Sequence, residues 1–135
     1  GAWHIIGDRR PVPARVSECN KLENSLFVIS ELICFDTVGR REAFEQLQQK
    51  SRLTRTWGDA FGYLLVATGR AEVMIDPYLS AWDAAPMLTV LTEAGGRFTD
   101  WQGNSTIHAG EAIGTNGLVH EQVLEITRQF PKKES

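Results

Sequence analysis

Three aspartates stand where predicted strands and helices meet, and their carboxylates are the groups in this sequence best suited to bind a metal ion or a polar ligand. Asp76 directly follows an apolar, strand-like run, Asp83 lies near the start of a predicted helix, and Asp59 begins another helix after Gly58. Ligands of open α/β sheets bind at the edge where strands end, so Asp76 and Asp83 could converge on one crevice. Spacing alone favours plainer roles. It predicts Asp59 and Asp83 as helix caps that stabilise by about 1 kcal/mol, and Asp76 as part of an Asp-Pro turn.

The other groups capable of chemistry lack the spacing of a site. His4, His108 and His120 are far apart in the sequence, which is not typical of metal ligands. Cys19 and Cys34 have no basic neighbour that would activate a thiol, and two cysteines are too few for a disulfide framework. We therefore interpret both cysteines as inert, small hydrophobic residues.

The elements that must position the aspartates alternate along the chain. Hydrophobic patterning predicts strands at residues 2–6, 25–30, 53–56, 71–75, 97–99 and 112–115, and helices at residues 39–50, 59–68, 82–93 and from residue 117 onward. This alternation indicates a layered α/β fold whose strands are at least partly parallel.

Two of these helices carry more detailed predictions. The apolar positions of the second helix, which predict its buried face, are Phe61, Leu64, Leu65 and Thr68. Proline is tolerated only in the first turn of a helix, so Pro86 places the start of the third helix near Trp82 or Asp83. We expect Trp82 to pack against that start.

The composition is that of one folded domain. The 135 residues include 14 Lys and Arg and 17 Asp and Glu, for a net charge of −3, so there is no global attraction to nucleic acid or to an anionic membrane. Hydrophobic residues make up 42% of the chain, and no apolar run approaches the ~18 residues that a membrane helix needs. With no recognisable signal peptide, we expect a reduced, cytoplasmic protein that has no nucleic-acid or membrane partner.

Several motifs closely resemble those of the inositol monophosphatase family, which comprises magnesium-dependent, lithium-sensitive phosphatases. Trp-Asp-Ala-Ala at residues 82–85, followed by Glu-Ala-Gly-Gly at residues 93–96, resembles the second signature of that family. Gly-Asp-Ala-Phe at residues 58–61 resembles the Gly-Asp-Cys-Tyr motif of the branch that hydrolyses histidinol phosphate. The resemblance covers nearly the whole chain and is strongest over residues 53–124.

The resemblance implies a role for each matching residue. Asp83 matches the carboxylate that binds a catalytic Mg²⁺ ion, and Asp76 matches the acidic residue that contacts the organic portion of the substrate. Gly58, Asp59 and Ala60 match the loop and helix start that face the substrate. The implied partner is a small phosphorylated metabolite. L-histidinol phosphate is the leading candidate, and inositol phosphates or related sugar and nucleotide phosphates are the alternatives.

The first signature of the family, Asp-Pro-x-Asp-Gly-Thr, is absent from the sequence. We therefore expect residues 1–131 to be a carboxy-terminal substrate- and metal-binding domain, residues 132–135 to be a tail, and the catalytic amino-terminal half to be missing. The implied fold is a layered α/β domain with a mixed sheet of about five strands flanked by helices. Because one aspartate cannot hold a catalytic magnesium cluster, we expect this part to be inactive alone. The resemblance also implies that the full-length protein is a homodimer. A stand-alone, non-catalytic binding domain is the alternative from another functional class.

Overall fold

The computed structural model describes residues 1–132 of the chain. Its strands are β1 (Trp3–His4), β2 (Val12–Pro13), β3 (Leu26–Ile29), β4 (Leu53–Thr56), β5 (Val73–Asp76), β6 (Arg97–Thr99) and β7 (Ala112–Thr115). Its α-helices are α1 (Leu32–Thr37), α2 (Arg41–Lys50), α3 (Asp59–Ala67), α4 (Ala81–Glu93) and α5 (His120–Thr127), and a short 3₁₀ helix covers Leu22–Asn24. Within these residues, no helix has the length and hydrophobicity needed to cross a membrane.

Five strands form a mixed sheet in the order β4-β3-β5-β7-β6. Strand β3 pairs in parallel with β4 and β5, whereas β7 runs antiparallel to both β5 and β6. The three central strands, β3, β5 and β7, are buried along their whole length, as expected where helices cover both faces of a sheet. The structure thus confirms the predicted layered α/β fold with a mixed, five-stranded sheet flanked by helices.

The sheet separates two hydrophobic clusters. On one face, Val28 and Met74 pack with α3 and α4, and on the other, Phe27 and Ile29 pack with α1, α2 and α5. Successive residues of β3 contribute to opposite clusters because side chains alternate across a strand. The sheet is therefore anchored from both sides, which fixes the positions of the strand ends described below.

The predicted buried face of α3 is confirmed only in part. Leu65 is buried as predicted, but Phe61 and Leu64 are 56% and 42% exposed, whereas Tyr63 and Val66 are buried. Gly62 faces the sheet instead. A Cβ at this position would lie 2.5 Å from the Met74 sulfur, so only glycine allows α3 to pack this closely. The buried face of α3 is therefore the one that contains Gly62, and apolar periodicity does not predict it.

The start of α4 also differs from the prediction. The helix begins at Ala81, so Pro86 lies in its second turn. Trp82 does not pack against the helix start, since 80% of its surface is exposed.

Three further segments differ in extent. The predicted strand at residues 2–6 is reduced to Trp3–His4, which forms a small antiparallel pair with Val12–Pro13. Helix α1 is absent from the prediction because its six residues carry too short an apolar pattern to be recognised. Of the predicted tail, Lys132 donates a hydrogen bond to the Ala109 carbonyl at 3.1 Å, and residues 133–135 lie outside the described residues.

Candidate active-site cleft

An open cleft of about 550 Å³ lies beyond the carboxyl ends of β3 and β5, at the starts of α1, α3 and α4. It is lined by four of the five predicted site residues, Asp59, Ala60, Asp76 and Asp83. The fifth, Gly58, immediately precedes Asp59, and a Cβ placed on it would contact Ser30, another residue of the cleft, at 3.4 Å. The structure therefore brings the predicted residues together at the edge of the sheet where open α/β folds bind ligands.

Asp76 is the buried carboxylate of the cleft. Its side chain accepts hydrogen bonds from the Tyr63 hydroxyl at 2.6 Å and from the Ser30 hydroxyl at 3.1 Å. Burial raises the pKa of Asp76, these two hydrogen bonds oppose the rise, and the charges of Asp59 and Asp83 add to it. Its backbone carbonyl accepts a bond from the Trp101 indole N–H at 3.3 Å. Asp76 is therefore held in a fixed position. Its hydrogen bonds go beyond the Asp-Pro turn that spacing alone predicts.

Asp59 adopts an unusual backbone conformation at the first position of α3. Its φ of +55° is the only positive value at a non-glycine among the described residues. Aspartate tolerates this left-handed region better than most residues do, and such strain clusters at functional sites. The Asp59 N–H donates to the Ser30 hydroxyl at 3.2 Å. Ser30 thus links the backbone of Asp59 to the carboxylate of Asp76.

Asp83 occupies the first turn of α4, three residues after Ser80, the N-cap residue. The Ser80 hydroxyl donates to Asp83 Oδ2 at 2.6 Å, and no side chain caps the helix by a hydrogen bond. The predicted role of Asp83 as the capping residue is therefore wrong, although its charge still complements the positive end of the helix dipole. Among the described residues, Asp83 Oδ1 accepts no hydrogen bond, which leaves it open to another ligand.

The cleft is acidic. Glu31, Asp59, Asp76 and Asp83 line it, and none of the described residues along its wall is Lys, Arg or His. Carboxylate oxygens are the ligands that Mg²⁺ prefers, so the donor type fits this ion. Within the described part of the chain, however, no three acidic, histidine or cysteine side chains are grouped so that they could hold a metal. Asp83 is thus suited to supply one ligand, and a complete metal site would need further groups.

Sequence reasoning did not place Ser30, Glu31 or Cys34 in the cleft. Ser30 ends a buried strand, and its link between Asp59 and Asp76 depends on contacts between residues distant in sequence. Glu31 and Cys34 lie at the start of α1, the helix that the prediction lacks. Burial raises the pKa of the Cys34 thiol, as do the nearby charges of Glu31 and Asp76, which disfavours the reactive thiolate form.

The histidines do not line this cleft. His120 is completely buried, and its two ring nitrogens lie 2.8 Å from the hydroxyls of Thr99 and Thr115. This arrangement ties α5 to the ends of β6 and β7, which is a structural role.

Comparison with known proteins shows what this chain resembles. Residues 5–132 match the model of the inositol monophosphatase family. The chain is 36% identical over 124 residues to a histidinol-phosphatase of Mycobacterium tuberculosis, covering 92% of this chain and 48% of that protein. It is 35% identical over 114 residues to a histidinol-phosphatase of Streptomyces coelicolor, covering 84% of this chain and 43% of that protein.

Solved structures show the same fold. An inositol monophosphatase from Anabaena superposes with a TM-score of 0.77 at 28% identity, over 89% of this chain and 49% of that one. A Thermotoga maritima inositol monophosphatase superposes with a TM-score of 0.74 at 28% identity, over 86% and 45% of the two chains. The chain thus spans about half the length of the curated relatives it matches.

Proposed function

The chain belongs to the inositol monophosphatase family, and from this premise we propose that it is the carboxy-terminal, substrate-binding part of a Mg²⁺-dependent phosphatase that converts L-histidinol phosphate to L-histidinol. The observation that carries the proposal is the acidic cleft, which Asp59, Asp76 and Asp83 line together and which has no basic side chain among its described residues. Two histidinol-phosphatases at 35% and 36% identity support the choice of substrate.

The geometry supports different roles for the three aspartates. Histidinol carries an amine and an imidazole that can both be cationic, and carboxylates form strong, charge-assisted hydrogen bonds with such groups. Asp76 is fixed by Tyr63 and Ser30, so it would bind the organic part of the substrate at a defined position. Asp59, held through Ser30, would bind the same part from the start of α3.

Asp83 would contribute one oxygen ligand to Mg²⁺, through a carboxylate that only Ser80 contacts among the described residues. A bound Mg²⁺ stabilises the charge on a transferring phosphoryl group and lowers the pKa of a coordinated water. Residues 1–132, which the structure describes, offer too few grouped acidic side chains to hold the ion alone. We therefore propose that an amino-terminal half supplies the remaining ligands, and that residues 1–131 without it are inactive.

The proposal is tested by joining this chain to the amino-terminal half of the Mycobacterium tuberculosis relative. Release of phosphate from L-histidinol phosphate is measured with Mg²⁺ and with a chelator, beside the same reaction on inositol 1-phosphate and on a nucleoside monophosphate. We expect Mg²⁺-dependent hydrolysis with preference for histidinol phosphate. Preference for inositol phosphate would favour the alternative substrate class, and activity on none of them would favour a non-catalytic binding domain.

A matched pair of variants examines the basis of substrate choice. Asp59→Thr removes the carboxylate at the start of α3 and should reduce preference for the cationic substrate over inositol phosphate. Glu125→Gln, which neutralises an exposed carboxylate on α5 outside this cleft, should leave the preference unchanged. Equal effects of the two variants would contradict a specific role for Asp59.

Two further expectations complete the proposal. We propose that the full-length protein is a homodimer, and light scattering on the joined protein would show a mass of two chains if this is right. We also propose that it acts in the cytoplasm, which fractionation of cells expressing the natural gene would check.

A further inference from the structure

Two aromatic side chains at the cleft are unusually exposed. Tyr78 and Trp82 are 74% and 80% exposed, the highest values for large hydrophobic residues in the described chain, and both line the cleft. Burying a large apolar side chain would contribute about 1.5–3 kcal/mol, so two that this chain leaves exposed at one site mark a surface for a further contact. We call Tyr78 and Trp82 the aromatic rim.

The fold presents the aromatic rim on rigid supports. Tyr78 follows Pro77, which fixes the backbone after the buried end of β5, and Trp82 lies in the first turn of α4. From these supports both rings extend largely into solvent. Both side chains are therefore free to contact a ligand, and replacing them should not break the fold.

The electrostatics of the cleft define which ligand the rim would bind. The faces of aromatic rings carry partial negative charge and attract cations, with Trp and Tyr among the best. The same cleft is lined by carboxylates such as Asp59 and Asp76 and, in the part of the chain that the structure describes, by no basic residue. Rings and carboxylates both favour a cation, and both disfavour a phosphate.

We propose that Tyr78 and Trp82 are specificity residues that bind the organic cation of the substrate, a protonated ammonium or imidazolium group, through cation–π contacts. The inference rests on the proposed function and extends it. The carboxylates would attract the cation, and the rim would distinguish it from a neutral polyol such as inositol, which offers hydroxyl groups but no positive charge.

A binding experiment on the chain itself tests the rim without catalysis. Choline and 3,3-dimethylbutan-1-ol have nearly the same shape, and only choline is charged. We expect choline and L-histidinol to shift the NMR signals of the Tyr78 ring and the Trp82 indole, whereas the neutral alcohol does not. Equal shifts with the charged and neutral probes, or no shift at these two residues, would overturn the proposal.

A kinetic experiment on the joined phosphatase tests the rim during turnover. Because an exposed cation–π contact is worth about 0.5–1 kcal/mol, Tyr78→Leu and Trp82→Leu should each raise KM for histidinol phosphate roughly two- to fivefold. The rise in KM for histidinol phosphate should exceed any rise in KM for inositol 1-phosphate. Tyr78→Phe and Trp82→Phe should retain normal KM, since they keep a ring.

The control is Trp3→Leu, which removes an exposed tryptophan that does not line the cleft and should leave both KM values unchanged. An equal rise in KM for both substrates would show that the rim does not recognise charge and would overturn the proposal. If the parent protein does not hydrolyse histidinol phosphate, the proposed function fails. The choline experiment then still decides whether the rim binds organic cations.

Discussion

Protonation of the buried His120 is predicted to destabilise the fold as the pH falls. The hydrogen bonds around this ring define its neutral form. The Thr99 hydroxyl donates to the Asp100 carbonyl at 2.7 Å, so its oxygen accepts from His120 Nε2–H. The Thr115 oxygen accepts from the Gly117 N–H at 2.9 Å, so its own hydrogen points to His120 Nδ1. A proton added to Nδ1 would therefore face the Thr115 hydroxyl hydrogen, and this hydrogen bond would be lost.

The magnitude follows from the shift in pKa. Burial lowers the pKa of His120 from 6.5 to about 4, and the positive charge of Arg97 adds to the effect, opposed by Glu121. In the unfolded chain His120 therefore binds a proton as the pH falls through 6.5, whereas in the folded chain it does so only near pH 4. The contribution of neutral His120 to the free energy of unfolding is complete above its pKa in the unfolded chain. It is lost as the pH falls below that pKa. The loss is about 2 kcal/mol at about pH 5 and about 3 kcal/mol at about pH 4.

Urea unfolding of the chain at a series of pH values between about 7 and 5 measures this loss. His120→Gln removes the titrating ring, so its stability should fall less than that of the wild type over the same interval, by about 2 kcal/mol. His108→Gln, which replaces an exposed histidine, should behave like the wild type. If His120→Gln and the wild type lose stability in parallel, the assignment of a neutral, buried His120 is refuted.

Three other substitutions test the packing behind the cleft by urea unfolding of the chain. Tyr63→Phe removes the 2.6 Å hydrogen bond to Asp76, so it should cost about 1.5–3 kcal/mol and raise the pKa of Asp76 further, as a carboxyl NMR titration would show. Arg40→Met leaves Glu111 as an unpaired buried charge and should cost about 3–5 kcal/mol, whereas adding Glu111→Leu should restore most of the loss. Gly114→Ala places a methyl group 2.9 Å from the Tyr63 ring and should cost about 1–3 kcal/mol. A variant that unfolds like the wild type would contradict the contact concerned.

The sequence predicts those parts of the fold that local patterns determine. The buried runs that become β3, β5 and β7 are recognisable because strands covered on both faces are continuously apolar. The position of Asp76 at the cleft is predictable because this residue ends such a strand. Pro86 and the apolar spacing predict a helix start at Trp82 or Asp83, within two residues of the observed start at Ala81. This places Asp83 at the end of the helix that borders the cleft.

The remaining features depend on contacts between distant residues. The buried face of α3 is set by the close approach of Gly62 to Met74, and a glycine adds nothing to an apolar pattern. Ser30 joins Asp59 to Asp76 across 29 and 46 residues of sequence, and no local signal marks a serine for that task.

The metal-binding role proposed for Asp83 is the central claim, and one measurement tests it most directly. Mg²⁺-dependent phosphate release from L-histidinol phosphate is compared for Asp83→Asn and the parent, both joined to the amino-terminal half of the Mycobacterium tuberculosis relative. Because even outer partners of a metal cost 10–100-fold when removed, we predict a loss of more than about 100-fold. Far-UV circular dichroism would show that the variant remains folded. A folded Asp83→Asn variant that retains the parent's activity would contradict the proposed role.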